Sequence, residues 1–229
     1  MHKKYFAIPQ LLLGFDTETT GLDVGCERAI SYGFCAYERG VPVWSDHFYV
    51  RPDRPISSGA QRVHGISIQD LDAMYEAGQA LSVAMGLIRT VGVLREYLAK
   101  GALIVGANVS PFDIEMLRRS YASVLKKNLL DDLSVTRLPV IDVIKHDEVI
   151  ESRSVSTRRR SLTNLCQYYG VAPGGHNALS DARASIEVFL AQVARNDAHR
   201  RAQSPQISLP MEFGATVLPP VVLEKRAKW

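Results

Sequence analysis

Asp16 and Glu18 stand one residue apart at the end of an apolar run, Leu11, Leu12, Leu13, Gly14 and Phe15. Side chains two apart on a strand share a face, so both carboxylates project together and Thr17 faces the other way. Two like charges this close repel, at greater cost near a core. A divalent cation offsets that cost, and an oxygen-only donor set suits Mg2+ or Mn2+ better than zinc. Two further acids stand downstream. Asp113 ends the stretch Asn108, Val109, Ser110, Pro111, Phe112, Asp113, after a second apolar run. Asp181 follows His176 at a His-x4-Asp spacing where a late helix opens.

The order Asp-x-Glu, Asp, His-x4-Asp, with Thr19, Thr20, Gly21 and Leu22 extending the first motif, resembles the DEDDh (DnaQ-like) 3'-5' exonucleases, the family of the proofreading subunit of bacterial DNA polymerase III. The resemblance spans residues 11–193. It implies a ribonuclease-H-like fold and hydrolysis of phosphodiester bonds at the 3' ends of single-stranded or frayed DNA, releasing 5'-mononucleotides. It also implies a pair of divalent cations, which in such sites lie about 3.5–4 Å apart. Asp16 would bridge them, Glu18 and Asp181 would complete one shell, and Asp113 would support the other. His176 would be the general base, since an imidazole with an ordinary pKa of about 6.5 accepts a proton at neutral pH. Thr19, Gly21 and Leu22 would hold the terminal nucleotide, with Leu22 wedged against its base, and Asn108 would position the second motif. Arg158 and Arg159, beside Arg160, are either phosphate contacts or a solvated loop. A trimmer of RNA 3' ends is the alternative within the family, because DNA and RNA are told apart by contacts to the 2'-hydroxyl. A non-catalytic nucleic-acid- or polymerase-binding module is the competing class; it has no chemical need for four acids and a histidine.

Positioning these residues requires an α/β domain with a mixed sheet. The pattern predicts five strands, over residues 11–15, 30–34, 41–50, 102–106 and 137–143, the first three antiparallel. Met85, Leu87, Ile88, Val91, Leu94 and Leu98 give one apolar helical face. Pro111 suits the first turn of a helix carrying Asp113. Residues 147–160 read as loop, and 161–169 as a short helix stopped by Gly170. The last helix is expected from Ser180, as its cap, to Arg195. Gly174 and Gly175 lend the His176 loop freedom to close over substrate. In Val63, His64, Gly65 and Ile66, His64 reads as a loop histidine that fixes a turn.

The 229 residues bury one good core, here residues 1–195, followed by a tail, 196–229. A net charge of +3 neither demands nor excludes nucleic acid. Cys26, Cys35 and Cys166 form no Cys-x-x-Cys pair, which fits reduced thiols and a cytoplasmic protein. No run approaches the roughly 20 apolar residues of a membrane span. Zinc-ligand spacing and a Gly-x-Gly-x-x-Gly after the first strand are both missing. In the proline-containing tail, Gln206, Ile207, Ser208, Leu209, Pro210 and Met211 resemble the peptide by which bacterial proteins bind the replication sliding clamp. Leu209 and Met211 would anchor in an apolar groove and Gln206 would set the polar register.

Overall fold

The computed structural model of the protein describes residues 9–151 and 160–203, with side chains as far as Asn196. Arg158 and Arg159 lie outside the described residues, as do Gln206, Leu209 and Met211 of the tail peptide.

The sheet is built on β1 (Leu11–Thr19), whose apolar start is buried on both faces. β2 (Ala29–Glu38) and β3 (Val41–Arg51) follow it as an antiparallel meander. β4 (Ala80–Ser82) adds to β3 in parallel, while β5 (Leu103–Gly106) and β6 (Val140–Asp142) add in parallel beyond β1. The order is β4-β3-β2-β1-β5-β6, a six-stranded mixed sheet.

Alternation along β1 splits the core. Leu13 and Phe15 face one layer, under α3 (Val83–Ala99), α4 (Glu115–Leu125) and α5 (Leu129–Asp132), with Phe34, Leu87, Leu94, Met116 and Leu129. Leu12 faces the other, with Val143, Leu165, Ile186 and Phe189 from α6 (Val143–Ile150), α7 (Leu162–Tyr169) and α8 (Ala178–Gln203). Asp16 and Glu18 continue the Leu12 side by strand parity, so they meet the start of α8. Between β3 and β4 lie α1 (Ser58–His64) and α2 (Ile68–Glu76). Ser67 and Asp70 form the capping box at the start of α2.

The architecture matches the expected α/β class, with local corrections. There are six strands rather than five: three residues are too few to show a period of two, so β4 carries no signal in the sequence. β1 runs on to Thr19, so both acids stand within the strand. The strand expected over 137–143 is only Val140–Asp142, because Asp142 accepts the Ile144 N–H at 3.0 Å and caps α6, which occupies the first part of the expected loop. α8 starts two residues earlier than expected, since Asn177 rather than Ser180 supplies the cap, accepting the Ser180 N–H at 3.1 Å. It also continues to Gln203, through residues with no proline and ample Ala and Arg.

Phe34 is fully buried and stacks on Phe15 with ring centroids 4.9 Å apart. Phe34→Ala is expected to cost about 3–5 kcal/mol in urea unfolding, while substitution of Val149, 81% exposed, stays within about 0.5 kcal/mol.

Candidate active site

Asp16 pairs with Gly33 and Glu18 with Ser31 across the β1–β2 ladder, which is interrupted by a bulge between Glu18 and Thr19. The register shifts beside the acids, a usual place for such an irregularity. Asp181 enters from the first turn of α8. One carboxylate oxygen from each of Asp16, Glu18 and Asp181 lies within 4.8 Å of the other two. Acids from the first strand and the last helix thus converge on one point. Such an all-carboxylate set fits a hard divalent cation.

Asp113 stands beside this triple rather than in it. It occupies a short π-helical turn (Ser110–Ile114), is 4% exposed, and accepts a 2.6 Å hydrogen bond from Thr17 Oγ1. Thr17 faces away from its two neighbours, as strand parity requires, and uses that direction to hold the fourth acid. Nothing in the sequence marks Thr17 for this role, because its partner is 96 residues distant. Asn108, at φ +58°, donates its N–H to Asp142 Oδ1 at 3.1 Å. It turns the chain from β5 into the Asp113 segment, a left-handed step that asparagine tolerates.

The electrostatics follow from this crowding. Loss of hydration, then repulsion by Asp113, Asp181 and Glu18, holds the Asp16 carboxyl well above the carboxylate range. Burial, Asp181 and Asp113 push Glu18 up to about 7. Burial also raises Asp113 to about 7, against the lowering effect of the Thr17 hydrogen bond. Asp181 is raised by burial and eased by His176 and by the backbone N–H groups of His176 and Asn177.

His176 is exposed, at φ +60°, on the loop leading into α8. It lies near enough to Asp181 and His64 to influence both. His64 is the last residue of α1 rather than a loop residue, but it does fix the turn that follows. Its Nδ1 accepts the Ile66 N–H at 3.0 Å, which leaves the ring proton on Nε2, 3.2 Å from Thr19 O. Burial lowers its pKa, consistent with a neutral ring. His64 therefore braces the first motif, a contact that its sequence context does not show.

A cleft of about 380 Å³ opens next to Glu18. Thr17, Thr19, Gly21, Leu22, Val63, His64 and Phe112 are among its lining residues. The segment expected to hold a nucleotide is pinned: Thr19 Oγ1 donates to Gly21 O at 2.8 Å, and Thr20 is tied to Arg28 and Ser57 through backbone bonds. Leu22, by contrast, is 86% exposed at the rim. The chain thus offers an acidic centre beside an apolar cleft with a projecting leucine. Arg160 is no free phosphate contact, since its Nε lies 2.8 Å from the buried Asp147 carboxylate.

The chain is similar to several known proteins. The family model described as Exonuclease, RNase_T, matches residues 13–189. The DNA polymerase III subunit epsilon of Rickettsia prowazekii is 31% identical over 182 residues, 77% of this chain and 71% of that protein. Small RNA degrading nuclease 3 of Arabidopsis thaliana is 27% identical over 192 residues, 82% of this chain but 21% of that protein. E. coli Exonuclease I, solved in complex with a dT13 oligonucleotide, superposes with a TM-score of 0.67 at 16% identity, over 85% of this chain and 43% of that one. This last likeness confirms the fold, and the chain spans less than half of that structure.

The raised acids give a stability signature. In the cation-free protein, Glu18 and Asp113 keep their protons up to about pH 7, whereas the unfolded chain releases them near the ordinary carboxylate values. Their contribution is full below the unfolded values and lost as pH rises through the folded ones. His47 and His64, lowered by burial, act in the opposite direction. With EDTA present, the melting temperature of Glu18→Gln relative to the native chain is expected to rise between about pH 5 and pH 7 and level off above it. A difference independent of pH would contradict this assignment.

Proposed function

The chain belongs to the RNase_T exonuclease family, and from that premise we propose that it is a metal-dependent 3'-5' exonuclease acting on single-stranded or frayed DNA, in replication proofreading or repair. The observation that carries the proposal is the convergence of Asp16, Glu18 and Asp181 within 4.8 Å beside the cleft under Leu22. Two divalent cations, Mg2+ or Mn2+, would be held by Asp16, Glu18 and Asp181, with Asp113 in support, and when bound would stabilise the charge that builds on the phosphate.

The chain's own residues supply the rest. The cleft receives the terminal nucleoside, with Phe112 and Val63 as apolar wall and the Thr19–Leu22 backbone as floor. Leu22, exposed at the rim, separates the terminal base from its neighbour. His176 accepts the proton of the attacking water as the phosphodiester bond breaks. Its exposure lets it deliver that proton to solvent, from which the leaving 3'-oxygen is protonated.

The epsilon subunit relatives favour DNA and a polymerase partner. The Arabidopsis relative, a small RNA degrading nuclease by name, favours RNA 3' ends as the second reading. A sliding clamp engaged through Gln206, Leu209 and Met211 belongs to the proposal on the strength of the sequence pattern alone.

Oligonucleotides of DNA and RNA, labelled at either end, test the reading with Mg2+, Mn2+ or EDTA. The expected result is stepwise loss from the 3' end, faster on DNA, abolished by EDTA and by Asp16→Ala, and slowed about 10²- to 10⁴-fold in kcat by His176→Ala. Faster loss of RNA would assign the second reading, and no cleavage of either polymer by folded, Mn2+-loaded protein would overturn both.

A further inference from the structure

Gly33 has no place in the chemistry above, yet it is where the two halves of the acidic centre touch. It pairs with Asp16 across the β1–β2 ladder and so lies on the same face of the sheet. The first peptide of α8 rests directly on it. A Cβ at Gly33 would lie 2.1 Å from the carbonyl carbon of Ala178, 2.2 Å from Leu179 N and 2.3 Å from Ala178 O. All three are backbone atoms, which cannot rotate away as a side-chain tip can. One helical turn further on the contact repeats more gently: a Cβ at Gly14 would stand 2.7 Å from Ala182 O and 2.7 Å from Cys35 Sγ. Ala178 and Ala182 are themselves fully buried. Helix backbone therefore meets strand backbone here with no side chain of ordinary size between them.

We propose that Gly33 is a positioning residue that sets the span between the strand-borne acids Asp16 and Glu18 and the helix-borne pair Asp181 and His176, an inference that rests on the nuclease reading above. Asp181 follows Ala178 by three residues and His176 precedes it by two, so whatever moves the first turn of α8 moves both. Restoring ordinary contact, at 3.4 Å or more, would push that turn out by roughly 1 Å. Cation sites tolerate ligand errors of only about 0.2 Å, and a misplacement of about 1 Å can cost roughly 10²-fold in rate. The cleft residues Thr19, Leu22 and Phe112 belong to other elements and keep their places. The defect should therefore fall on cation binding and turnover rather than on substrate affinity.

Gly86 provides the matched control. Its Cβ would lie 2.4 Å from Val50 Cγ2, where α3 packs on β3 in the opposite core layer. Gly86→Ala thus overpacks the protein without touching α8. The full chain with Gly33→Ala, Gly86→Ala or neither is compared for melting temperature, Mn2+ affinity by electron paramagnetic resonance, and kcat and KM on a single-stranded DNA oligonucleotide. The expected result is that Gly33→Ala loses about 10- to 100-fold in Mn2+ affinity and about 10²-fold in kcat with KM little changed. Gly86→Ala, overpacked against Val50 but away from α8, should keep both. Native Mn2+ affinity and kcat in Gly33→Ala, or the same losses in Gly86→Ala, would overturn the inference. Should Gly33→Ala not fold, Gly14→Ala is expected to show the same split to a smaller degree, and its absence there counts equally against it. A crystal structure of the glycine variant separates this inference from the function reading. A native chain that binds no Mn2+ would sink the latter, whereas an unmoved first turn of α8 would sink the former.

Discussion

Mutual repulsion among Asp16, Glu18 and Asp181 is the constraint on which the rest of this structure depends. Burial raises the proton affinity of all three carboxylates, whose oxygens lie within 4.8 Å of one another, and repulsion by their neighbours and by Asp113 raises that of Asp16 and Glu18 further. The fold brings them together nonetheless, and its devices can be named. Strand parity points Asp16 and Glu18 to one side of β1. The β1–β2 register shifts just beyond them. Thr17 uses the opposite face to tether Asp113, and His176 with the backbone N–H groups at the start of α8 eases the charge on Asp181. Burying the acids costs folding stability, which the hydrogen bond from Thr17 offsets in part, a common trade at functional sites. A divalent cation held by these acids would offset that liability.

The division of labour between rigid and exposed parts fits the proposed reaction. Thr19, Thr20 and Gly21 are held by hydrogen bonds to their own loop and to the segments behind it. His64 reaches across from α1 to Thr19 O. Leu22 and His176, in contrast, stand in solvent. A terminal nucleotide would meet a fixed floor and acquire its roof from these two side chains. The glycines before His176 also separate in role. Gly175 sits at φ +73° in open space, as a loop that turns requires, but a Cβ on Gly174 would lie 2.2 Å from Asp181 Oδ1. Gly174 is therefore small because the loop lies against an acid of the centre, which is a different reason from the loop freedom that the pair of glycines suggests in the sequence.

Much of this arrangement is legible in the amino-acid sequence. Asp16 and Glu18 declare themselves as a pair by type and spacing, and Asp113, His176 and Asp181 join them through the resemblance of their order to the DEDDh pattern. The long strands, and the helices with a full apolar face or a clear cap, are equally plain. What stays hidden is what depends on partners distant in the chain. Thr17 looks like filler until Asp113 arrives, and Gly33 looks like one more small strand residue until α8 lies on it. β4 is too short to carry a period. Val143 continues an apolar run in the sequence, and only the cap at Asp142 shows that the run changes from strand to helix there.

Crystals of the chain soaked with Mn2+ and a 5'-mononucleotide, measured by anomalous scattering, test the central claim most directly. The account predicts two cation peaks about 3.5–4 Å apart on either side of Asp16, one of them touching Glu18 and Asp181, with the nucleoside in the cleft beneath Leu22. An acidic centre left empty at saturating Mn2+, or cations bound elsewhere on the surface, would contradict it.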